Sequence, residues 1–126
     1  MATIYIAHPD GEDQDATRRK IGQILRDIEK SGNIGISPLV VLRDTVDWSN
    51  ASRKLDACFD LLKGCDCMWV MSVEVTEHMR REIEFACRHN VDLRFFDNMH
   101  RDLTVDRGWE EAERRLDLPR YFTRRR

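Results

Sequence analysis

The sequence predicts an α/β fold: a mainly parallel sheet of four to five strands lying between helices. Three observations carry that expectation. Short β-branched and aromatic runs alternate with stretches of helical period along the chain. Cys67–Val73, Cys-Met-Trp-Val-Met-Ser-Val, reads as a continuous apolar run, which suits a central parallel strand buried on both faces. Strands joined through helices need right-handed crossovers, and these lay helices over both faces of one sheet. The expected arrangement is therefore a Rossmann-like (flavodoxin-like) three-layer domain.

The elements follow in order. Residues 2–7 form a first strand, closed by the turn-rich cluster Pro9, Asp10, Gly11. Ile21, Ile24, Leu25 and Ile28 fall at i, i+3, i+4 and i+7, one apolar stripe of a helix that Ser31-Gly32-Asn33 ends. Ile34–Leu42 contains a second strand, interrupted or ended at Ser37-Pro38. Proline cannot donate to a strand ladder, so this strand is short, bent or at an edge. Residues 43–50 are a polar loop. A second helix over about 51–63 sets Leu55, Cys58, Phe59 and Leu62 on one face, with Gly64 as its cap. After the apolar run, a third helix extends from about Thr76 to His89, and Val91–Phe96 is a fourth strand. A loop over 97–104 leads to a last helix carrying Trp109, Ala112 and Leu116, ended by Pro119, with residues 117–126 as a tail.

The 126 residues suit one domain with one core. Apolar residues make up 41% and charged residues 35%, a globular composition with a heavily charged surface. The formal charge of −2 supplies no basic field for nucleic acid, and Arg124, Arg125 and Arg126 read as a frayed charged terminus. No apolar run approaches the ~20 residues that span a membrane. The chain enters Thr3-Ile4-Tyr5-Ile6 without a basic leader, so a cytoplasmic protein is expected. The four cysteines, Cys58, Cys65, Cys67 and Cys87, make no paired CxxC or Cys/His spacing. Reduced, buried thiols are expected, with no metal and no cofactor. Neither GxGxxG nor GxxxxGK[ST] is present, which argues against the usual dinucleotide and P-loop sites. The Trp and Met residues read as core or interface.

In open α/β sheets, ligands bind at the carboxyl ends of strands, near the switch in strand order. The segments expected there are His8–Gly11, Ser37–Leu39 and Ser72–Glu82. Glu82 follows His78 by four residues, so both share a helix face behind a Thr76 cap. A carboxylate near a helix start beside a cleft can act as nucleophile or base; a solvated residue paired with an Arg has the same pattern. Asp56 and Asp60, at i and i+4 on the second helix, and Asp66, before the central strand, are each either the acid for a leaving group or surface charge. His8 suits contact with a phosphate or a base, and equally a structural bond to the following loop. Arg18, Arg19 and Lys20 suit either a phosphate or a solvated face.

Four motifs add a resemblance. They are Tyr5-Ile6-Ala7-His8-Pro9 with Gly11 and Arg18; Ile36-Ser37-Pro38-Leu39; Leu62, Cys65-Asp66 and Met68-Trp69-Val70; and Thr76-Glu77-His78-Met79 with Glu82-Ile83 and Ala86. In this order and spacing, over about residues 3–96, the chain resembles small phage and bacterial proteins of the DUF4406 type. That family is similar to the nucleoside 2-deoxyribosyltransferases and nucleotide N-hydrolases. The resemblance implies that Glu82 is a nucleophile attacking the anomeric carbon of a nucleoside or nucleotide, with retention. The glycosyl ester would then pass to water or to another base. It implies an assisting Asp, with Asp60 first and Asp56 second. It implies substrate contacts from His8, Pro9, Asp10, Gly11, Ser37, Pro38, Thr76, His78 and Met79, a small-molecule partner, and a homo-oligomer. One position departs from the pattern: His78 stands where the motif has glycine. A glycine lets the backbone approach the ligand closely; a histidine blocks this or offers its own donor to a phosphate. The departure supports an alternative, a nucleotide-binding module that senses or sequesters without turnover. A third reading is a structural assembly protein, with the Trp48 region and the last helix as subunit contacts.

Overall fold

The computed structural model describes residues 1–10, 13–42, 46, 47, 49–72 and 75–96. β1 (Thr3–Ala7) follows the period-2 rule: Ile4 and Ile6 enter the core on one face of the sheet, Tyr5 and Ala7 on the other. α1 (Gln14–Lys30) starts at Asp13, whose Oδ1 accepts from the Ala16 N–H at 3.0 Å. Its buried residues are Thr17, Ile21, Ile24 and Ile28, three of them from the expected stripe, whose fourth member, Leu25, is half-buried. The turn that ends it places Gly32 at φ 87°, a conformation that disfavours any side chain.

β2 is short, Ile34–Ile36. The chain beyond it is not strand: Pro38–Val41 is a helical turn, α2, behind Ser37. Proline's fixed φ and missing N–H suit the first helical position, so Ser37-Pro38 ends the strand and starts a helix. Asn50 caps α3 (Ala51–Lys63), its Oδ1 accepting from the Arg53 N–H at 3.2 Å, and Gly64 ends it. β3 spans Cys67–Val70, α4 Glu77–Arg88 and β4 Asp92–Phe95.

The sheet order is β2-β1-β3-β4, with each adjacent pair parallel. Among the described residues β2 is thus an edge strand, and the proline just beyond it costs no ladder bond. From β1 the chain goes out to β2 on one side and returns to β3 on the other. The switch in strand order therefore falls between β1 and β3. The larger core packs α3 and α4 against Tyr5, Ala7, Met68, Val70, Leu93 and Phe95. The other face holds Ile4, Ile6, Ile24, Ile28, Met71 and Phe96.

β3 corrects one expectation. It is four residues long rather than seven, and while Met68 and Val70 are fully buried, Cys67 and Trp69 on its other face are half-buried. The strand is closed over by helices on one face more completely than on the other. The expected loop 97–104, the last helix, the tail and Trp48 lie outside the described residues. Among the described residues, no helix is long and apolar enough to cross a membrane.

Candidate active site

α4 begins at Thr76, whose Oγ1 accepts from the Met79 N–H at 3.2 Å. Its buried residues are Met79, Glu82, Ile83 and Ala86. Glu82 therefore occupies a position on the apolar stripe, and it is only 2% exposed. Burying a carboxyl without a partner is costly, and here the partner is Tyr5. The strand period turns Tyr5 toward α3 and α4, where its hydroxyl donates to Glu82 Oε2. The other oxygen, Oε1, lies 3.6 Å from His78 Nε2, one turn back along α4.

Burial dominates the charge states of this group. It pushes the Glu82 carboxyl up to about 8, against the opposing pull of the Tyr5 hydroxyl and the Lys54 ammonium. It lowers His78 to about 4, helped by Lys54 and opposed by Asp10. Burial, with Glu82 nearby, raises the Tyr5 hydroxyl well above its ordinary range and the Cys58 thiol to about 12. At neutral pH Glu82 is thus mostly an acid, and His78, Tyr5 and Cys58 are neutral.

Glu82 and His78 open onto a cavity of about 320 Å³. Its lining comes from four places in the chain: His8 and Asp10 after β1, Pro38 and Leu39 of α2, Lys54 of α3, and Thr76, His78 and Glu82 at the start of α4. These are the carboxyl ends of the strands around the switch, as topology requires. The His8 ring is held by its Nδ1, which donates to the Pro9 carbonyl at 2.8 Å.

The structure brings together His8, Asp10, Pro38, Thr76, His78 and Glu82 of the residues expected from sequence. Others fall elsewhere. Pro9 supplies the carbonyl that orients His8. Ser37 is buried beside the cavity wall, and among the described residues its hydroxyl has no hydrogen-bond partner. Met79 belongs to the core at 1% exposure, not to the cavity lining. Gly11 lies outside the described residues.

The expected assisting carboxylates are not among the residues that line the cavity. Asp60 has an 80% exposed side chain, 3.7 Å from Lys63, and is absent from the cavity lining. Asp56 is exposed on the same helix. Asp66 accepts from the Thr3 N–H at 2.7 Å, tying β1 to the residue before β3 at the other end of these strands. The carboxyl group that does line the cavity with Glu82 is Asp10.

Three residues of this cluster were not foreseen as site residues: Tyr5, Lys54 and Cys58. Each had a faint signal. Tyr5 is a large hydroxyl-bearing side chain on the α3–α4 face of β1, and Lys54 precedes Cys58 by four residues, so the two share the inward face of α3.

No curated protein matches the sequence. A family model described as a domain of unknown function, DUF7768, matches residues 2–96; the motifs had pointed instead to the DUF4406 type. Among solved structures the chain is similar to a 2-desoxiribosyltransferase from Leishmania mexicana, with a TM-score of 0.62 and 18% sequence identity. The similarity covers 77% of this chain and 65% of that one, so this chain spans less than two thirds of that protein. At this identity the likeness is one of fold, an α/β Rossmann-like arrangement.

Proposed function

We propose, from the premise that this chain belongs to the DUF7768 family, that it cleaves the N-glycosidic bond of a nucleoside or nucleotide through Glu82. One observation carries the reading: Glu82 is almost wholly buried, yet it lines a cavity at the strand switch and is gripped by Tyr5. A carboxyl placed there costs stability, and perturbed acids in clefts cluster at functional sites. The fold likeness to a 2-desoxiribosyltransferase supports the same reading.

The chemistry follows from the geometry. Glu82 must lose its proton to act, and the imidazole of His78 beside Oε1 is a route for that proton to the cavity. The carboxylate then attacks the anomeric carbon. The C–N bond breaks, its electron pair leaves with the base, and the base takes up a proton. Water or a second base attacks the glycosyl ester from the vacated side and restores Glu82. Tyr5 is a positioning residue that fixes the carboxylate. Asp10 and His8 take the assisting role expected of Asp60, orienting and protonating the leaving base. Lys54 favours the ionised form of Glu82 and offers a positive charge to a phosphate on the sugar.

The test is release of free base from a panel of nucleosides, deoxynucleosides and their 5′-monophosphates, with or without an acceptor base. Release by the wild type and its loss in Glu82→Gln is the expected result. A folded wild-type protein that releases no base from any of them would exclude the reading. His78 in place of glycine, with Glu82 held as an acid, favours a second reading, a nucleotide-binding module without turnover. That reading expects stabilisation by a nucleotide, unchanged in Glu82→Gln, with no product.

A further inference from the structure

We propose that Cys58, His78 and Glu82 bind a thiophilic divalent ion of the zinc class at the floor of the cavity. The donor atoms, one thiol sulfur, one imidazole nitrogen and one carboxylate oxygen, all lie within 4.8 Å of one another. Their sequence spacing shows no ligand motif, because two helices assemble the group: Cys58 from α3, and His78 and Glu82 from successive turns of α4. The i, i+4 pair sets two donors on one helix face, as in helix-borne zinc sites. A tetrahedral ion with bonds of about 2.0–2.3 Å holds its ligand atoms roughly 3.3–3.6 Å apart. The 3.6 Å between His78 Nε2 and Glu82 Oε1 already fits, and the Cys58 sulfur lies within 4.8 Å of a donor atom of each of the two.

The donor set also selects the ion. Sulfur with nitrogen and one oxygen suits zinc and its soft neighbours, whereas magnesium and calcium take oxygen shells. Three protein ligands leave a fourth position, and two of the three, His78 and Glu82, line the cavity. The position that the motif fills with glycine would give no donor; His78 gives this chain one. The groups around the site pull in both directions. The Lys54 ammonium opposes a cation, Asp10 favours it, and the Tyr5 hydroxyl on Oε2 orients the carboxylate from outside. Binding places the ion on the thiolate, the carboxylate and neutral imidazole, and it releases the thiol and carboxyl protons to solvent. Affinity therefore rises with pH. A metal on Oε1, with the Tyr5 hydroxyl on Oε2, draws charge from the carboxylate and weakens it as a nucleophile, so the ion suppresses the glycosidic reaction. That consequence rests on the proposed function; the binding itself does not.

The experiment titrates the full chain, stripped by a chelator, with cobalt(II) chloride and with zinc chloride. One cobalt per chain is expected, with the visible bands of tetrahedral cobalt and a thiolate charge-transfer band in the near ultraviolet. The charge-transfer band disappears in Cys58→Ser. Loss of even an outer partner of a metal ligand weakens binding about 10–100-fold, so His78→Ala weakens it by about 100-fold. A folded wild type that binds neither ion overturns the proposal. So does a thiolate band that persists in Cys58→Ser, or an affinity unchanged in His78→Ala, whose partly exposed position makes it the safer variant to fold. Base release measured with and without zinc separates the two claims. Zinc bound as expected, with no release even by the metal-free protein, removes the glycosidic reading and leaves the site standing.

Discussion

The carboxyl of Glu82 makes two pH-dependent contributions that an isosteric amide removes. Below about pH 4.5 the folded and unfolded chains both hold its proton. As pH rises toward 8 the unfolded chain ionises while the folded chain, held at about 8, does not. Folding is therefore opposed increasingly across that window, by at most about 5 kcal/mol. Glu82→Gln accepts from the Tyr5 hydroxyl without this cost. Urea unfolding at pH 5 and pH 9 should find the variant's advantage over wild type small at pH 5 and largest at pH 9; equal differences at both would contradict the buried acid. His78 acts in the opposite direction, since a folded value near 4 loses stability as pH falls from 6.5 to 4. The same carboxyl sets the reaction's pH dependence: kcat/KM should climb with pH to a plateau above about 8. The Tyr5 hydroxyl holds Glu82 down, so Tyr5→Phe should move that limb to higher pH. It should also cost about 1–3 kcal/mol by leaving a buried oxygen unpaired. A limb that stays in place would detach Tyr5 from the nucleophile.

Helix phase decides which acidic residues reach the cavity. Asp60 follows Cys58 by two positions, about 200° around α3, and so faces solvent while Lys54 and Cys58 face inward. Asp60→Asn and Asp56→Asn should leave base release unchanged. Asp10→Asn should lower it about 100-fold, the scale of an acid–base group; the reverse ranking would return the assisting role to α3. The cap at α4 is a separate lever. Thr76→Ala removes the acceptor for the Met79 N–H and should cost about 1 kcal/mol in unfolding experiments. The sequence showed these helices through their stripes, and Glu82 was legible by its place in the motif. The missing parts are those that periodicity does not encode. Ser37-Pro38 announced a break but not that a helical turn follows it, and the apolar run from Cys67 gave no sign of where hydrogen bonding stops. Tyr5 and Lys54 became site residues only when β1, α3 and α4 were stacked.

At the scale of the whole molecule, the sheet order β2-β1-β3-β4 makes one cavity out of four distant stretches of chain. Strand–helix alternation made the parallel sheet legible in the sequence, and the rule for open sheets pointed to the end where the cavity lies. What stacks beneath that end depends on long-range packing, such as Tyr5 against Glu82, 77 residues apart. A ligand in this cavity touches the loop after β1, α2, α3 and α4 together, so binding should stabilise the fold as a unit. A ligand at a hundredfold excess over its Kd adds about 2.7 kcal/mol. For a chain of 126 residues that corresponds to a rise in Tm of about 10 °C. Lys54 is a cation in the cavity lining, and at equal concentration a nucleoside 5′-monophosphate should raise Tm more than its nucleoside does. Lys54→Met should erase that difference while keeping the response to the nucleoside. Equal shifts from both ligands in the wild type would mean that the phosphate lies outside the reach of Lys54, and that the cavity reads the sugar and base alone.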